Sequence, residues 1–312
     1  MRVVVAGASG LIGSALVLAL EAFGHQPVRL VRPDSPAGTG ISWDPDSGIV
    51  DAAALIGVDA VVNLAGRSIG SRRWNPAEKD LILSSRVQST RLLSEALASL
   101  DRGPQVLLNA SAVGYYGDRG NERLTEQSGP GSDFFSDVCS EWEAATAAAT
   151  GAGIRVVNLR TSVVLSPRGG TLERLLAPLG PRWLSPYRWG LGGWIRPGSQ
   201  MISWISLEDE VRAILHLLGS RLSGPVNLAA PAPVTNKEFS KAVGRALGRP
   251  VLLPIPRLVP RVVLGAELAG SLLFGSQAVI PERLLGDGFR FNHNTVDGAM
   301  GAVLGRPGAG AG

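Results

Sequence analysis

Val3-Val4-Val5-Ala6-Gly7-Ala8-Ser9-Gly10-Leu11-Ile12-Gly13 is an apolar strand-like run that turns directly into three glycines, each separated by two residues, and then into a helical pattern over 14–23. Each glycine has a reason to be there. Gly7 permits a tight turn, Gly10 lets backbone N–H groups approach a pyrophosphate, and Gly13 lets the helix pack closely on the strand while its N-terminus faces the anion. The spacing alone also suits a glycine-rich turn of no special function; its position on the first strand of a βαβ unit points to a dinucleotide. Ser9, Leu11 and Ile12 complete the loop and join the three glycines as expected cofactor contacts.

Further along, Val/Leu/Ile-rich runs at 2–7, 27–31, 60–63, 105–110 and 155–159 each precede a longer amphipathic or Ala-rich stretch. That alternation predicts an α/β protein with a Rossmann-like, doubly wound parallel sheet. Asn75-Pro76-Ala77-Glu78 predicts a capped helix running to about 100, and Thr235-Asn236-Lys237-Glu238 a second capping box. From there the alternation gives way to helical pieces separated by Pro250, Pro254, Pro256, Pro260 and Pro281. The expected division is therefore 1–230 as the dinucleotide domain, 231–304 as a smaller, mainly helical domain on the substrate side, and 305–312 as a disordered tail.

The second run ends Val28-Arg29-Leu30-Val31-Arg32, where an NAD site would carry an acid for the ribose 2′-hydroxyl. Arg32 instead offers a guanidinium fork suited to a 2′-phosphate, so the expected cofactor is NADP. The alternative makes Arg32 an ordinary surface residue and gives the ribose to Asp34.

Composition narrows the remaining classes. The chain has 312 residues, 45% hydrophobic and 18% charged, with 30 Lys plus Arg against 26 Asp plus Glu. Only Lys79, Lys237 and Lys241 are lysines, so the sequence pI near 9.7 is arginine chemistry. The arginines are scattered, which argues against a nucleic-acid groove. A single cysteine, Cys139, excludes an intramolecular disulfide and suits a reducing compartment. His25, His216 and His293 have no metal-ligand spacing, and no metal is expected. No signal-peptide pattern opens the chain, and the apolar stretch 262–280, broken by Glu267, Ser271, Ser276 and Gln277, reads as a packed helix and not a membrane span. The expected location is the cytoplasm. Expected partners are a small-molecule substrate, with no nucleic acid and no membrane, and with a homodimer one option.

The opening motif, followed by Asn63-Leu64-Ala65-Gly66, Arg72-Arg73-Trp74, Ser85-Arg86, Ser111-Ala112-Val113-Gly114-Tyr115-Tyr116-Gly117-Asp118 and Trp142-Glu143, resembles the atypical extended short-chain dehydrogenase/reductases. More narrowly, it is similar to the branch described as NAD(P)-dependent epimerase family proteins. Ser203-Trp204-Ile205, Glu208-Asp209, Gly224-Pro225-Val226-Asn227 and the stretch from Thr235 to Phe239 continue the likeness into a small C-terminal domain of undefined role. The resemblance implies a nicotinamide at the C-terminal edge of the sheet and a substrate cleft roofed by the C-terminal segment. It also implies Leu64, Ala65 and Gly66 beside the cofactor, Arg86 pointing towards it from the next helix, and Val163 near the nicotinamide.

The resemblance also implies a Tyr acid/base, a Lys four residues later and a Ser or Thr for the substrate oxygen. Here the sequence departs from the pattern. The helix expected to carry the pair, 133–143, contains neither Tyr nor Lys, and the Ser position falls on Ala112 with Ser111 one place earlier. Replacement chemistry is expected from Ser111, Tyr115 and Tyr116, with Asp118, Glu122, Glu141 or Cys139 nearby, although Cys139 reads first as a small buried hydrophobe. Trp183, Trp189 and Trp194 suit either a mobile cleft wall or a structural loop. The leading reading is an NADP-dependent reductase or epimerase-type enzyme acting on a small or nucleotide-linked carbonyl or hydroxyl compound. The competing reading is a non-catalytic NADP-binding sensor or scaffold.

Overall fold

The computed structural model describes residues 1–33, 39–69, 73–176, 186–187, 189–190 and 192–305. Asp34, Arg72, Trp183 and the tail beyond 305 lie outside these residues. The chain divides into two compact units, each discontinuous in sequence. The first comprises 1–115, 132–160 and 211–226, and the second the remainder. The boundary expected at 230 therefore falls within the second unit.

The first unit is built on β1 (Arg2–Ala6), β2 (Gln26–Val31), β3 (Ile41–Asp44), β4 (Ile49–Val50), β5 (Ala60–Asn63) and β6 (Val106–Ala112). From edge to edge the eight-stranded sheet runs Gly224–Leu228, Arg155–Thr161, β6, β5, β1, β2, β3, β4. β1 lies parallel between β2 and β5, Val3 pairing with Pro27 on one side and Ala60 on the other. The winding reverses at β1, which opens a crevice beyond the carboxyl ends of β1 and β5. Val3 to Ala6 are wholly buried. Each valine contributes roughly 1.5–3 kcal/mol of transfer free energy, enough to fix the strand from which the glycine loop springs.

The β3–β4 hairpin was not expected from sequence. Its signal is short: Ile41 and Trp43 point into the core while Ser42 is exposed, a period-two pattern across only four residues. Helix α1 (Leu11–Ala22) starts inside the glycine motif. Helix α2 (Pro76–Ala98) is capped as expected, Asn75 Oδ1 accepting from the Glu78 N–H at 2.8 Å. Helix α3 (Phe134–Ala144) begins at Asp133, whose carboxylate accepts from the Ser136 N–H at 2.9 Å. A buried polar ladder ties the centre of the sheet to α2, since Asn63 Nδ2 donates to Thr90 Oγ1 at 2.9 Å and to Asn109 Oδ1 at 2.8 Å.

The second unit packs helices Asn236–Ala246 and Val296–Leu304 around Phe239, Val243, Met300 and Trp204. The Thr235 capping box is complete. The stretch 262–280 is not one packed helix. It breaks into Leu258–Leu264, Ala266–Ala269, a π turn Gly270–Phe274 and strand Ala278–Val279, with Leu258, Val259 and Val262 exposed. Gly265 and Gly275 divide those pieces, Gly265 at φ +95°. Among the described residues no helix is long and apolar enough to cross a membrane.

Candidate functional site

The crevice at β1 and β5 is a cleft of about 820 Å³, all of it within the first unit. Gly7, Ala8 and Ser9 line one part of it, Ala65, Gly66 and Arg67 another, and the ends of β2 and β3 a third. Backbone crowding explains the glycines. Gly7 has φ +73°, and a Cβ there would lie 2.5 Å from the Leu64 carbonyl oxygen. A Cβ on Gly13 would lie 2.2 Å from the Gly7 carbonyl oxygen. Gly10 donates its N–H to the Gly7 carbonyl at 3.0 Å, closing the loop ahead of α1. The result is a loop leading into a helix N-terminus beside an open cleft, a cradle that fits a dinucleotide pyrophosphate.

Arg29 and Arg32 supply cations where β2 meets this cleft. Arg32 is half exposed and pairs with Asp46 at 2.8 Å. Trp43, Asp44 and Asp46 come from the β3–β4 hairpin and escaped the sequence reading because the hairpin did. The Ser47 hydroxyl donates to Asp44 at 2.6 Å and, with Arg32 nearby, holds that carboxyl below its ordinary value.

Of the cofactor contacts expected, the cleft brings together Gly7, Ser9, Arg32, Ala65 and Gly66. Gly10, Leu11, Ile12 and Gly13 form the turn and the start of α1, and Leu64 donates its N–H to the Ala6 carbonyl at 3.0 Å. Arg86 does not line the cleft. Its guanidinium donates to the Ile82 carbonyl at 3.0 Å and the Arg67 carbonyl at 2.8 Å, and lies 5.0 Å from the Trp142 ring. Burial lowers its pKa to about 10, and its Nε has no hydrogen-bond partner. It packs directly against Gly66, where a Cβ would sit in ordinary contact, 3.5 Å from the guanidinium carbon. Arg86 thus braces the 64–67 loop from behind, and Leu81, Ser84, Ser85 and Ser89 are the α2 residues that reach the cleft.

A second cluster in the first unit gathers Ser111, Tyr115, Glu143 and Arg160. The Ser111 hydroxyl donates to Glu143 Oε1 at 2.7 Å. Arg160 grips the same carboxylate through both oxygens, at 2.8 and 2.9 Å, and its guanidinium lies 3.5 Å from the Tyr115 ring centroid. Arg160 is nearly buried, so the bidentate pair is what makes its charge tolerable. Sequence reading named Ser111, Tyr115 and Glu143 but not Arg160, whose partner lies 17 residues away.

Tyr116 belongs to the second unit, where it is fully buried and donates its hydroxyl to Asn227 Oδ1 at 2.7 Å. Asn227 in turn donates its N–H to Glu126 at 3.0 Å, and burial raises the Glu126 pKa. The phenol is thus committed to an internal network. Val163, also in the second unit, pairs with Trp204 across two short strands. Cys139 is buried on α3 and burial pushes its thiol up to about 12, which leaves it inert as a nucleophile at neutral pH. Asp118 accepts from the Ser276 N–H, Glu122 pairs with Arg119, and Glu141 is exposed. Trp189 is exposed, and Trp194 lies under the Lys237 ammonium. Among the described residues, no group of three or more His, Cys, Asp or Glu side chains could hold a metal ion.

Residues 3–229 match the NAD dependent epimerase/dehydratase family, and residues 255–303 match a domain of unknown function, DUF1731. "Epimerase family protein Mb2239" of Mycobacterium bovis is 47% identical over 307 residues, covering 98% of each chain. The crystal structure of human epimerase family protein SDR39U1 with NADPH is similar at TM-score 0.87 and 34% identity, over 97% of this chain and 99% of that one. A nucleoside-diphosphate sugar epimerase from Corynebacterium glutamicum matches at TM-score 0.77 and 34% identity, over 98% of this chain and 58% of that one. The chain belongs to the NAD dependent epimerase/dehydratase family.

Proposed function

We propose that this member of the NAD dependent epimerase/dehydratase family binds NADP in the first-unit cleft. We further propose that it works as a reductase or epimerase-type enzyme on a small or nucleotide-linked carbonyl or hydroxyl compound. The observation that carries the cofactor reading is the cleft itself, with a glycine loop at a helix N-terminus on one side and Arg29 and Arg32 on another. The likeness to the NADPH-bound human protein supports it. Gly7, Ser9 and Gly10 would hold the pyrophosphate, Arg32 the 2′-phosphate, and Ala65 and Gly66 the floor, with Leu64, Arg86 and the first turn of α1 behind them. Val163 is carried as the nicotinamide neighbour on family likeness alone. The bound nicotinamide would supply the hydride chemistry.

For proton handling the reading rests on Ser111 and Tyr115. Glu143, its charge paired with Arg160, accepts the hydrogen bond of the Ser111 hydroxyl and so leaves that oxygen's lone pairs for a donor from the substrate. Tyr115, with the guanidinium over its ring, is the half-buried phenol of the pair, whereas Tyr116 is fully buried and keeps its hydrogen bond to Asn227. The sensor reading stays beside this one because α3 carries neither Tyr nor Lys and Cys139 is inert. A cytoplasmic location and a small-molecule substrate belong to the same proposal.

NADPH is expected to bind at least about tenfold more tightly than NADH, and Arg32→Asp to erase the preference, a loss of about 1.5–3 kcal/mol. Titration by intrinsic fluorescence measures both. Equal affinities in the unaltered protein would remove the NADP assignment. In a panel of carbonyl substrates, NADPH oxidation that Tyr115→Phe slows by about 10²–10⁴-fold would favour the enzyme over the sensor.

A further inference from the structure

Single apolar side chains on a surface need no explanation, but in the second unit they gather. Of the thirteen large hydrophobic side chains exposed among the described residues, five fall within 252–262: Leu252, Leu253, Leu258, Val259 and Val262. A cluster of that kind marks a contact surface. A sixth, Trp189, is 70% exposed and comes from a turn beside the same stretch. Its N–H donates to the Pro186 carbonyl at 3.2 Å, and at the next residue, Gly190, a Cβ would lie 3.7 Å from Pro250.

The charge around this patch has one sign. Between Glu238 and Glu267 the chain carries Lys241, Arg245, Arg249, Arg257 and Arg261 and no acid. Arg245 is paired with Asp297 at 2.6 Å, whereas among the described residues no carboxylate pairs with the exposed Arg249, Arg257 or Arg261. The last two are gathered on one ring instead, their guanidinium carbons 5.1 and 5.6 Å from the centroid of Phe274.

Helix Leu258–Leu264 sorts these groups by side. At about 3.6 residues per turn, Leu258, Val259 and Val262 share one side, the buried Pro260 lies opposite, and Arg257 and Arg261 fall between. The aliphatic side of the helix therefore faces away from the core, the reverse of a helix that packs into its own protein. An aliphatic side turned outward with a cationic flank suits a helix lying in a membrane interface. Protein interfaces draw on aromatic and Met side chains at their centre. Here the centre is aliphatic, and Trp189 stands at the border, where an interfacial tryptophan belongs.

We propose that this face of the second unit docks on an anionic lipid surface. Leu258, Val259 and Val262, with Leu252 and Leu253, enter the boundary between headgroups and acyl chains, while Arg249, Arg257 and Arg261 meet the headgroups. The chain lies on the membrane and does not cross it, in keeping with the lack of a spanning helix among the described residues. The expectation of no membrane partner was drawn from the lack of a spanning stretch, and a surface contact needs none.

The test sediments the full chain with vesicles of about one part phosphatidylglycerol to two parts phosphatidylcholine, and with phosphatidylcholine alone. Saturable binding to the mixed vesicles is expected, at least about tenfold tighter than to the neutral ones. Leu258→Ser and Val262→Ser should each weaken it about tenfold, and Arg261→Gln about fivefold, the arginine effect fading at about 1 M salt. Leu18→Ser, at an exposed apolar position of the first unit, should leave it unchanged. All four positions are exposed, so unfolding midpoints should hold. Brominated acyl chains should quench a share of the tryptophan emission that is missing in Trp189→Phe. The proposal is overturned if the unaltered chain ignores mixed vesicles at about 1 mM lipid, or if Leu258→Ser and Val262→Ser bind as well as it does. It is equally overturned if Leu258→Ser splits a dimer seen without lipid, which would give the face to a second copy, or if polyglutamate binds with the same dependence on Leu258, which would give it to an acidic protein.

Discussion

The dinucleotide cleft and the Ser111–Glu143–Arg160–Tyr115 cluster share the first unit but are built from different materials. The glycine loop of the cleft is a backbone construction, with glycines packed against carbonyls, and its charged residues, Arg29, Arg32, Asp44, Asp46 and Arg67, come from other segments. The cluster is a side-chain construction in which one carboxylate serves a hydroxyl and a guanidinium, and the guanidinium serves an aromatic ring. A backbone site tolerates changes of surface charge and fails on the addition of one carbon. A charge cluster tolerates small changes of volume and fails when one partner leaves. That difference yields four measurements.

The largest effect is expected at Glu143. Glu143→Ala would leave Arg160, nearly buried, with its charge uncompensated, at a cost of about 3–5 kcal/mol. Chemical denaturation should show that loss while NADPH affinity in the refolded fraction stays within about twofold of the unaltered value. A stability loss below about 1 kcal/mol would mean that solvent reaches Arg160 and that the cluster is not a buried unit.

Gly13→Ala comes next and acts on the other region. Its Cβ would meet the Gly7–Ala8 backbone, 2.2 Å from the Gly7 oxygen and 2.9 Å from Ala8 Cα, so the loop must shift at a cost of about 1–3 kcal/mol. Here dinucleotide affinity should fall together with stability, the reverse of the Glu143 pattern. Gly301, with nothing near its Cβ position, is the control, and Gly301→Ala should not lower stability. If Gly13→Ala keeps full affinity, the loop is a packing feature only.

The same contrast explains what could be read from sequence. The glycine loop was legible because each glycine answers a local requirement within one strand–turn–helix, and local spacing is what a sequence displays. The Asn75 and Thr235 caps were legible for the same reason. Arg160 was not, because its meaning comes from Glu143 and Tyr115, residues joined to it only by folding. Arg86 was seen but misdirected: likeness to a family says that an arginine matters, whereas its burial behind Gly66 decides what it touches. Asp46 was missed along with a hairpin too short to show a period.

Tyr116→Phe tests whether the phenol of the second unit is structural. Removing its hydroxyl leaves Asn227 Oδ1 short of a donor in a buried network, worth about 1–2 kcal/mol. Stability should fall by that amount, and any turnover by less than about threefold, in contrast to Tyr115→Phe. A loss of about 10²-fold or more in turnover at unchanged stability would return the chemistry to Tyr116.

The smallest effect is expected at Asp46, where a charge decorates the backbone-built site. The Asp46 carboxylate pairs with Arg32 at 2.8 Å, both side chains more than half exposed. A 2′-phosphate seeking Arg32 would have to displace that carboxylate and then lie beside its negative charge. An exposed pair is weak and salt-screened, so the competition is modest. Asp46→Asn should tighten NADPH binding by about two- to fivefold and leave NADH unaffected, because only the phosphorylated ribose meets Arg32. The gain should shrink as salt rises and the Debye length falls towards about 3 Å at 1 M. Equal tightening of NADH would show that Asp46 acts on the cleft at large, while no change for either cofactor would show that the phosphate binds away from Arg32.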